Sequence, residues 1–249
     1  MSGWRIRTRR ARGLGTVAGL TLVLIAVACA KPYDPFRIPA AELRARVHTI
    51  ALAPLRVSAG VAEPTRARQE IEPLVVEQLA AGGFQVVASD EMERLWRSAA
   101  AEVGDVFDPV SGERDEERYE AVEAAVYHEL RLQYQVDAVL WMRIYAIELF
   151  LVGSRAAFCG TVGPVYWSNP EKQIDSSERA TLVLATCVDA ALYDLEERML
   201  YGIRSGLETI ETFARQTRAE RPLEQRLRDP SRLREAVNAT LGPLAGPVR

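Results

Sequence analysis

The chain has 249 residues and a formal charge of −3, and residues 29–249 alone hold 26 basic against 34 acidic side chains, a charge of −8. Nucleic acid and anionic lipid surfaces both call for clustered Lys and Arg, so an acidic balance of this size excludes them as electrostatic partners. The length suits one domain with a sizeable core, or one domain carrying an insertion.

The N-terminus sets five arginines, Arg5, Arg7, Arg9, Arg10 and Arg12, before an apolar run from Gly13 to Ala28. Arginines hold the start of a chain in the cytoplasm, while 16 apolar residues are short for a span, which needs about 20, and suit the core of an export signal. Ala26, Val27 and Ala28 are small enough for a peptidase cleft, and Cys29 follows at once. The pattern resembles a bacterial lipoprotein signal, cleaved between Ala28 and Cys29. The resemblance implies covalent lipid on Cys29, a diacylglyceryl thioether with a freed amine that can be acylated in turn, and no cofactor. Simple secretion and a retained helix are the alternatives. By the same resemblance Ala30, in place of an aspartate, directs the protein to the outer membrane, facing the periplasm. Two or three acyl chains anchor a protein durably without a transmembrane helix.

Residues 29–46 hold Lys31-Pro32, Asp34-Pro35 and Ile38-Pro39, and repeated prolines keep a segment extended, so this is a tether. The domain then runs over 47–249. His48 to Val57, nearly all apolar, reads as a strand buried on both faces. Glu70 to Ala81 reads as a helix with Ile71, Leu74, Val75 and Leu79 inward, Pro73 in its first turn and Gly82-Gly83 as its stop. Phe84 to Ala88 is a second strand. Ser89 or Asp90 caps a helix burying Met92, Leu95, Trp96 and Ala99, which the loop Gly104 to Gly112 breaks.

Glu113 to Gln135 is the clearest helix, with Tyr119, Val122, Val126 and Leu130 in one stripe and acids in its first turn. Val136 to Val152 is long and β-prone. Ala180 to Tyr193 and Met199 to Ile210 form a hairpin, in which Leu182, Leu184, Val188 and Leu192 share a face. Phe213 to Arg228 is arginine-rich and without pattern, a surface loop or solvated helix. Asp229-Pro230 opens a last helix with Leu233, Val237 and Leu241 inward and Gly242-Pro243 as its end.

This order predicts an α/β (α+β) fold: one mixed parallel and antiparallel sheet of about five strands packed with helices. Thr49 to Leu55, the helix end Leu79-Ala80-Ala81-Gly82-Gly83 before Phe84-Gln85-Val86-Val87, the entry Val136 to Leu140 and the late strands resemble periplasmic lipoproteins like the N-terminal domain of the Tol-system β-propeller protein. The curli secretion lipoprotein and the outer-membrane activators of peptidoglycan synthases share that layout. The tether Tyr33-Asp34-Pro35-Phe36-Arg37-Ile38-Pro39 is similar to that of an uncharacterised lipoprotein family. The resemblance implies a fold and an address, and no activity.

Catalytic patterns fail on spacing. His128-Glu129 begins a zincin-like pattern, but the second ligand position is Leu132, and the other histidine is the distant His48, so no metal site is expected. Gly-x-Ser-x-Gly and phosphate-loop patterns are absent. Asp105 and Asp108 lack the remaining acids of a calcium loop. Cys159 and Cys187, left after lipidation, form either a disulfide, as an oxidising compartment favours, or two separate buried thiols. The long loop 153–177 carries Phe158, Tyr166 and Trp167, which serve either as anchors for a partner or as a plug over the sheet. The reading is a non-enzymatic, lipid-anchored envelope protein that binds a protein partner or assembles with itself. An envelope hydrolase with an unrecognised site and a carrier of an apolar ligand are the alternatives.

Overall fold

The computed structural model describes residues 33–151, 155–164, 166–167, 181–214 and 217–246. Cys29, Ala28 and the leader lie outside them. Among the described residues no helix is long and apolar enough to cross a membrane.

The fold is α/β, built on one mixed six-stranded sheet. Its strands are β1 (Thr49–Leu52), β2 (Arg56–Val57), β3 (Gln85–Val87), β4 (Ala138–Leu151), β8 (Thr181–Asp194) and β9 (Met199–Thr209), in the order β3-β1-β4-β8-β9, with β2 also paired to β4. The β1 strand pairs in parallel on both sides, Ile50 lying opposite Val86 and Ala138. Helical crossovers make those parallel pairs possible: α2 (Pro64–Ala81) joins β1 to β3, and α3 (Ser89–Val103) with α4 (Glu116–Tyr134) joins β3 to β4. From β4 onward the pairing is antiparallel.

Each face of the sheet has its own helical layer. Leu140, Met142, Ile144, Val188, Ala190 and Leu192 meet α2 and α5 (Pro230–Ala245), whose Ile71, Val75, Leu79, Leu233, Val237 and Leu241 are buried there. Ala51, Ala53, Val139 and Trp141 meet Met92, Leu95, Val122, Val126 and Leu130 of α3 and α4 on the other face. Alternation along β4 sends successive residues to opposite layers.

Capping chemistry sets several boundaries. The Glu63 carboxylate accepts from the Thr65 and Arg66 amides, so α2 begins at Pro64 and Pro73 lies in its interior, where a start at Glu70 was expected. The cap fixes the start, while burial of Ala67, Ile71, Val75 and Leu79 carries the helix past the hydrogen bond that Pro73 removes. Asp115 caps α4 through the Arg118 amide, and Asp229 caps α5 through Ser231 and Arg232. The α5 helix continues through Pro243 to Ala245, past the expected stop. At α3 neither expected cap is used: the N-cap is Ala88, and the Ser89 hydroxyl donates instead to Glu72 Oε2 at 2.5 Å.

Two segments depart further from expectation. Part of the Pro-rich tether is folded: α1 (Ala40–Arg46) follows Pro39, Leu43 is fully buried, and Arg44 donates to the Leu244 carbonyl at 2.7 Å. Pro35 to Arg37 zips onto β9, where Arg37 N–H donates to Leu200 O and Gly202 N–H to Pro35 O. This part of the tether thus belongs to the unit Pro35–Arg249. The segment expected as a surface loop or solvated helix, Phe213 to Arg228, instead holds most of β10 (Glu211–Ala214), β11 (Thr217–Glu220) and a 3-10 turn at Leu223–Gln225. Arg221 and Arg226 turn inward from it. Arg221 pairs at 2.9 Å with Glu208, which is 2% exposed, and Arg226 donates to the carbonyls of Arg221 and Gly60.

Candidate functional site: the second face of the sheet

The stretch expected as a loop at 153–177 contains β5 (Arg155–Phe158), β6 (Thr161–Pro164) and β7 (Tyr166–Trp167), the last parallel to β10. Strands β5 and β6 form a hairpin with a two-residue turn, Cys159-Gly160, both at positive φ (48° and 75°). That is the geometry of a tight hairpin turn matched to strand twist, usually built from Asn or Gly. A cysteine there costs about 1 kcal/mol of backbone strain. What it gains is position: Cys159 is disulfide-bonded to Cys187, with 6.1 Å between Cα atoms.

Cys187 is wholly buried on β8, on the face that also carries α3 and α4. The bond therefore fastens the hairpin across the distal half of that face. Strand β5 lies against β4 and β6 against β9. Beneath it Leu149, Val183, Ala185 and Cys187 form a small apolar cluster, with Tyr145 and Ile147 at its margin. The disulfide expectation holds. The side chains of Phe158, Tyr166 and Trp167, named as partner anchors, lie outside the described residues; their backbones are in β5 and β7.

Between the helical layer and this hairpin a charged row crosses the sheet. Register places Arg143 on β4 opposite Asp189 on β8, and Asp189 opposite Arg204 on β9. Asp189 Oδ2 accepts from Arg143 Nε at 3.1 Å and Nη2 at 2.8 Å, while Oδ1 accepts from Arg204 Nε at 2.8 Å and the Tyr145 hydroxyl at 3.0 Å. Both guanidiniums also stand over the Tyr145 ring, 4.8 and 5.6 Å from its centre. Partial burial works to raise the Asp189 pKa, but the hydrogen bonds from Arg204, Arg143 and Tyr145 outweigh it and hold the carboxyl below its ordinary range. Burial, and next the bond to Asp189, push the Tyr145 phenol up. The arginines remain 58% and 57% exposed, whereas Asp189 is 21% exposed.

The row is thus a recessed carboxylate flanked by two outward cations. Arg56, over the Trp141 ring at 4.8 Å, adds a third. One row toward the helices, Trp141 is followed in register by Ala191 and Gly202, which carry almost no side chain. The arrangement offers oriented guanidinium N–H donors beside aromatic rings. Guanidiniums fixed in this way recognise carboxylates at little entropic cost.

Two other concavities lie nearby. Arg46, Arg131, Gln135, Asp137, Asp194 and Glu196 line a cavity of about 410 Å³ at the β8–β9 turn. Asp194 organises that turn, accepting from the amides of Glu196 and Arg198 and from Arg198 Nε. Glu120, Glu123, Tyr127, His128 and Glu197 line a recess of about 320 Å³ against α4. Burial and then the charge of Glu197 raise the Glu123 pKa. Among the described residues, no group of three His, Cys, Asp or Glu side chains is placed to hold a metal ion.

Sequence reasoning found the disulfide but missed the row. Asp189 lay in a strand read for its apolar side alone, though a lone acid between Val188 and Ala190 marks the opposite face.

No family model matches the sequence, and no curated protein matches it. Among solved structures, the chain is similar to the PelC dodecamer from Paraburkholderia phytofirmans, at 13% identity and a TM-score of 0.37, over 82% of this chain and 91% of that one. It is also similar to a point variant of that dodecamer, at 12% identity and 0.35, over 80% and 90%.

Proposed function

We propose that this chain is a lipid-anchored lipoprotein of the bacterial envelope. In this reading residues 1–28 are removed, Cys29 carries the lipid at the outer membrane, and the domain works in the periplasm without catalysis. It binds a protein partner, or copies of itself, to assemble or regulate an envelope complex. The Cys159–Cys187 bond supports the address, because structural disulfides persist in oxidising compartments. The sequence resemblance of Thr49 to Leu55, the helix end before Phe84 and the late strands to the Tol-system N-terminal domain and the curli secretion lipoprotein supports the same reading.

The observation that carries the binding role is the exposed row Arg143–Asp189–Arg204 with Tyr145, beside a covalently fastened hairpin. Arg, Tyr and Trp are the residues that dominate interface energetics, and a fixed cationic row on an acidic protein selects partners by charge. Photocrosslinking in intact cells tests it, with p-benzoylphenylalanine at position 143. A protein adduct that disappears when Arg204 is reversed to Glu supports the role. Absence of any protein adduct, with a purified domain that turns over envelope material, refutes it.

A further inference from the structure

Two arginines stand side by side where stability alone would separate them. Register sets Arg56 on β2 directly beside Arg143 on β4, and like charges facing each other across neighbouring strands cost stability. One extra residue produces the pairing: Leu52 lies beside Leu140 and Arg56 beside Arg143, four steps along one strand against three along the other. Without that bulge Leu55 would stand beside Arg143, and Arg56 would turn to the opposite layer. With it Leu55 is buried in that layer and Arg56 is exposed on the open face. The Leu55 amide, drawn out of the ladder, donates to Glu72 Oε1 at 3.1 Å. Bulges that re-aim a side chain in this way are common beside binding and active sites.

One carboxylate does not neutralise this pair. Asp189 accepts from Arg143 Nε and Nη2, while Arg143 Nη1 has no partner among the described residues. Arg56 has no side-chain hydrogen bond or ion pair among them: it lies over the Trp141 ring, and Glu123 feels its charge through space. Arg143 lies over the Tyr145 ring at the same 4.8 Å. The Trp141 indole N–H donates to the Tyr127 hydroxyl and the Tyr145 hydroxyl to Asp189, so both aromatic platforms are fixed. Guanidinium forks held on rings have little side-chain freedom left to lose when an anion arrives.

We infer that Arg56 and Arg143 together clasp the carboxylate of an Asp or Glu side chain on a protein partner. This rests on the binding reading above and names the chemistry of the partner at that face. A carboxylate takes parallel N–H bonds from a planar fork, and the two forks here are placed by adjacent strands. An anionic bilayer is the poorer occupant, because residues 29–249 carry 26 basic against 34 acidic side chains and would be repelled from it. The like-charge pair is then a cost in the free protein that binding relieves.

The test uses the full chain in its own cells, with p-benzoylphenylalanine at position 58. Ser58 is exposed two residues beyond Arg56, and its amide bond to Ile144 O survives the replacement. Ultraviolet light is expected to give an adduct with another protein whose linked peptide carries Asp or Glu beside the crosslink. Arg56→Glu is expected to cut that adduct at least about tenfold. The Tm of the purified Arg56→Glu protein is expected to hold or rise, because the change removes a like-charge pair, whereas a merely structural arginine would take Tm down with it. Exchanging the captured acid of the partner for Arg is expected to restore the adduct to the Arg56→Glu protein. An adduct undiminished by Arg56→Glu, a Tm that falls in step with it, a partner exchange that restores nothing, or a lipid, a glycan or a second copy in the adduct overturns the inference. If position 58 captures nothing while position 143 yields a protein adduct, the clasp fails and the binding role stands. If neither position captures protein, both fall.

Discussion

Removing the Cys159–Cys187 bond is the sharpest perturbation of the domain. The bond closes a loop of 28 residues. By the chain-entropy relation that closure stabilises the fold by about 3.6 kcal/mol. Part of this is offset, because releasing Cys159 lets its positive φ relax, returning about 1 kcal/mol. The net loss is about 2.5 kcal/mol. With an unfolding entropy of about 2.1 cal/mol/K per residue over the unit Pro35–Arg249, that lowers Tm by about 6 °C. The variant is Cys159→Ser with Cys187→Ala, since Cys187 is fully buried and a hydroxyl there would lack a partner. Calorimetry of the purified protein with and without dithiothreitol reads the shift, and amide exchange locates it. Protection is expected to fall in β5 and β6 and to survive in the centres of β4 and β8. A Tm unmoved by reduction, or two cysteines that alkylate without it, would refute the reasoning.

Other expectations follow from single contacts. Glu208→Gln removes the buried charge that pairs with Arg221 at 2.9 Å and is expected to cost about 3 kcal/mol, measured by urea unfolding. At Gly82 an added Cβ would sit 2.7 Å from Ala245 Cα, so Gly82→Val is expected to destabilise by about 2 kcal/mol or more and to loosen the end of α5. Asp189 has a depressed folded pKa, so its contribution is whole above the ordinary value of 3.8 and is lost as pH falls through the lowered value. Asp189→Asn should therefore lose at most about 1 kcal/mol at neutral pH and converge on the parent in stability measured between pH 4 and 2. Glu123 has a raised folded pKa and opposes folding once ionised, so Glu123→Gln should raise Tm slightly at pH 7 and leave it unchanged at pH 3.

Much of this fold is readable from short-range pattern. The stripe Val122, Val126 and Leu130, the apolar run at Thr49 to Leu52 and the long strands at 138–151 and 181–194 each state their element by period and length. What the sequence hides is what depends on distant partners. Arg221 and Arg226 make 213–228 look like a solvated loop, and distant partners such as Glu208 and the carbonyl of Gly60 explain why they are inside. The helix after Pro39 is stabilised by burying Leu43, a tertiary term that overrides the local signal of the prolines. The arginine row exists only once register is known, since Arg143 and Asp189 are 46 residues apart and Asp189 and Arg204 are 15 apart.

The address is the premise of every functional step, and the chemical state of residue 29 tests it most directly. Intact mass and radiolabelled palmitate incorporation should show a mature chain beginning at Cys29 and carrying lipid, sedimenting with outer membranes. Cys29→Ser should retain residues 1–28, take up no label and leave that fraction. A Cys29→Ser protein labelled and sedimenting like the parent would contradict the account.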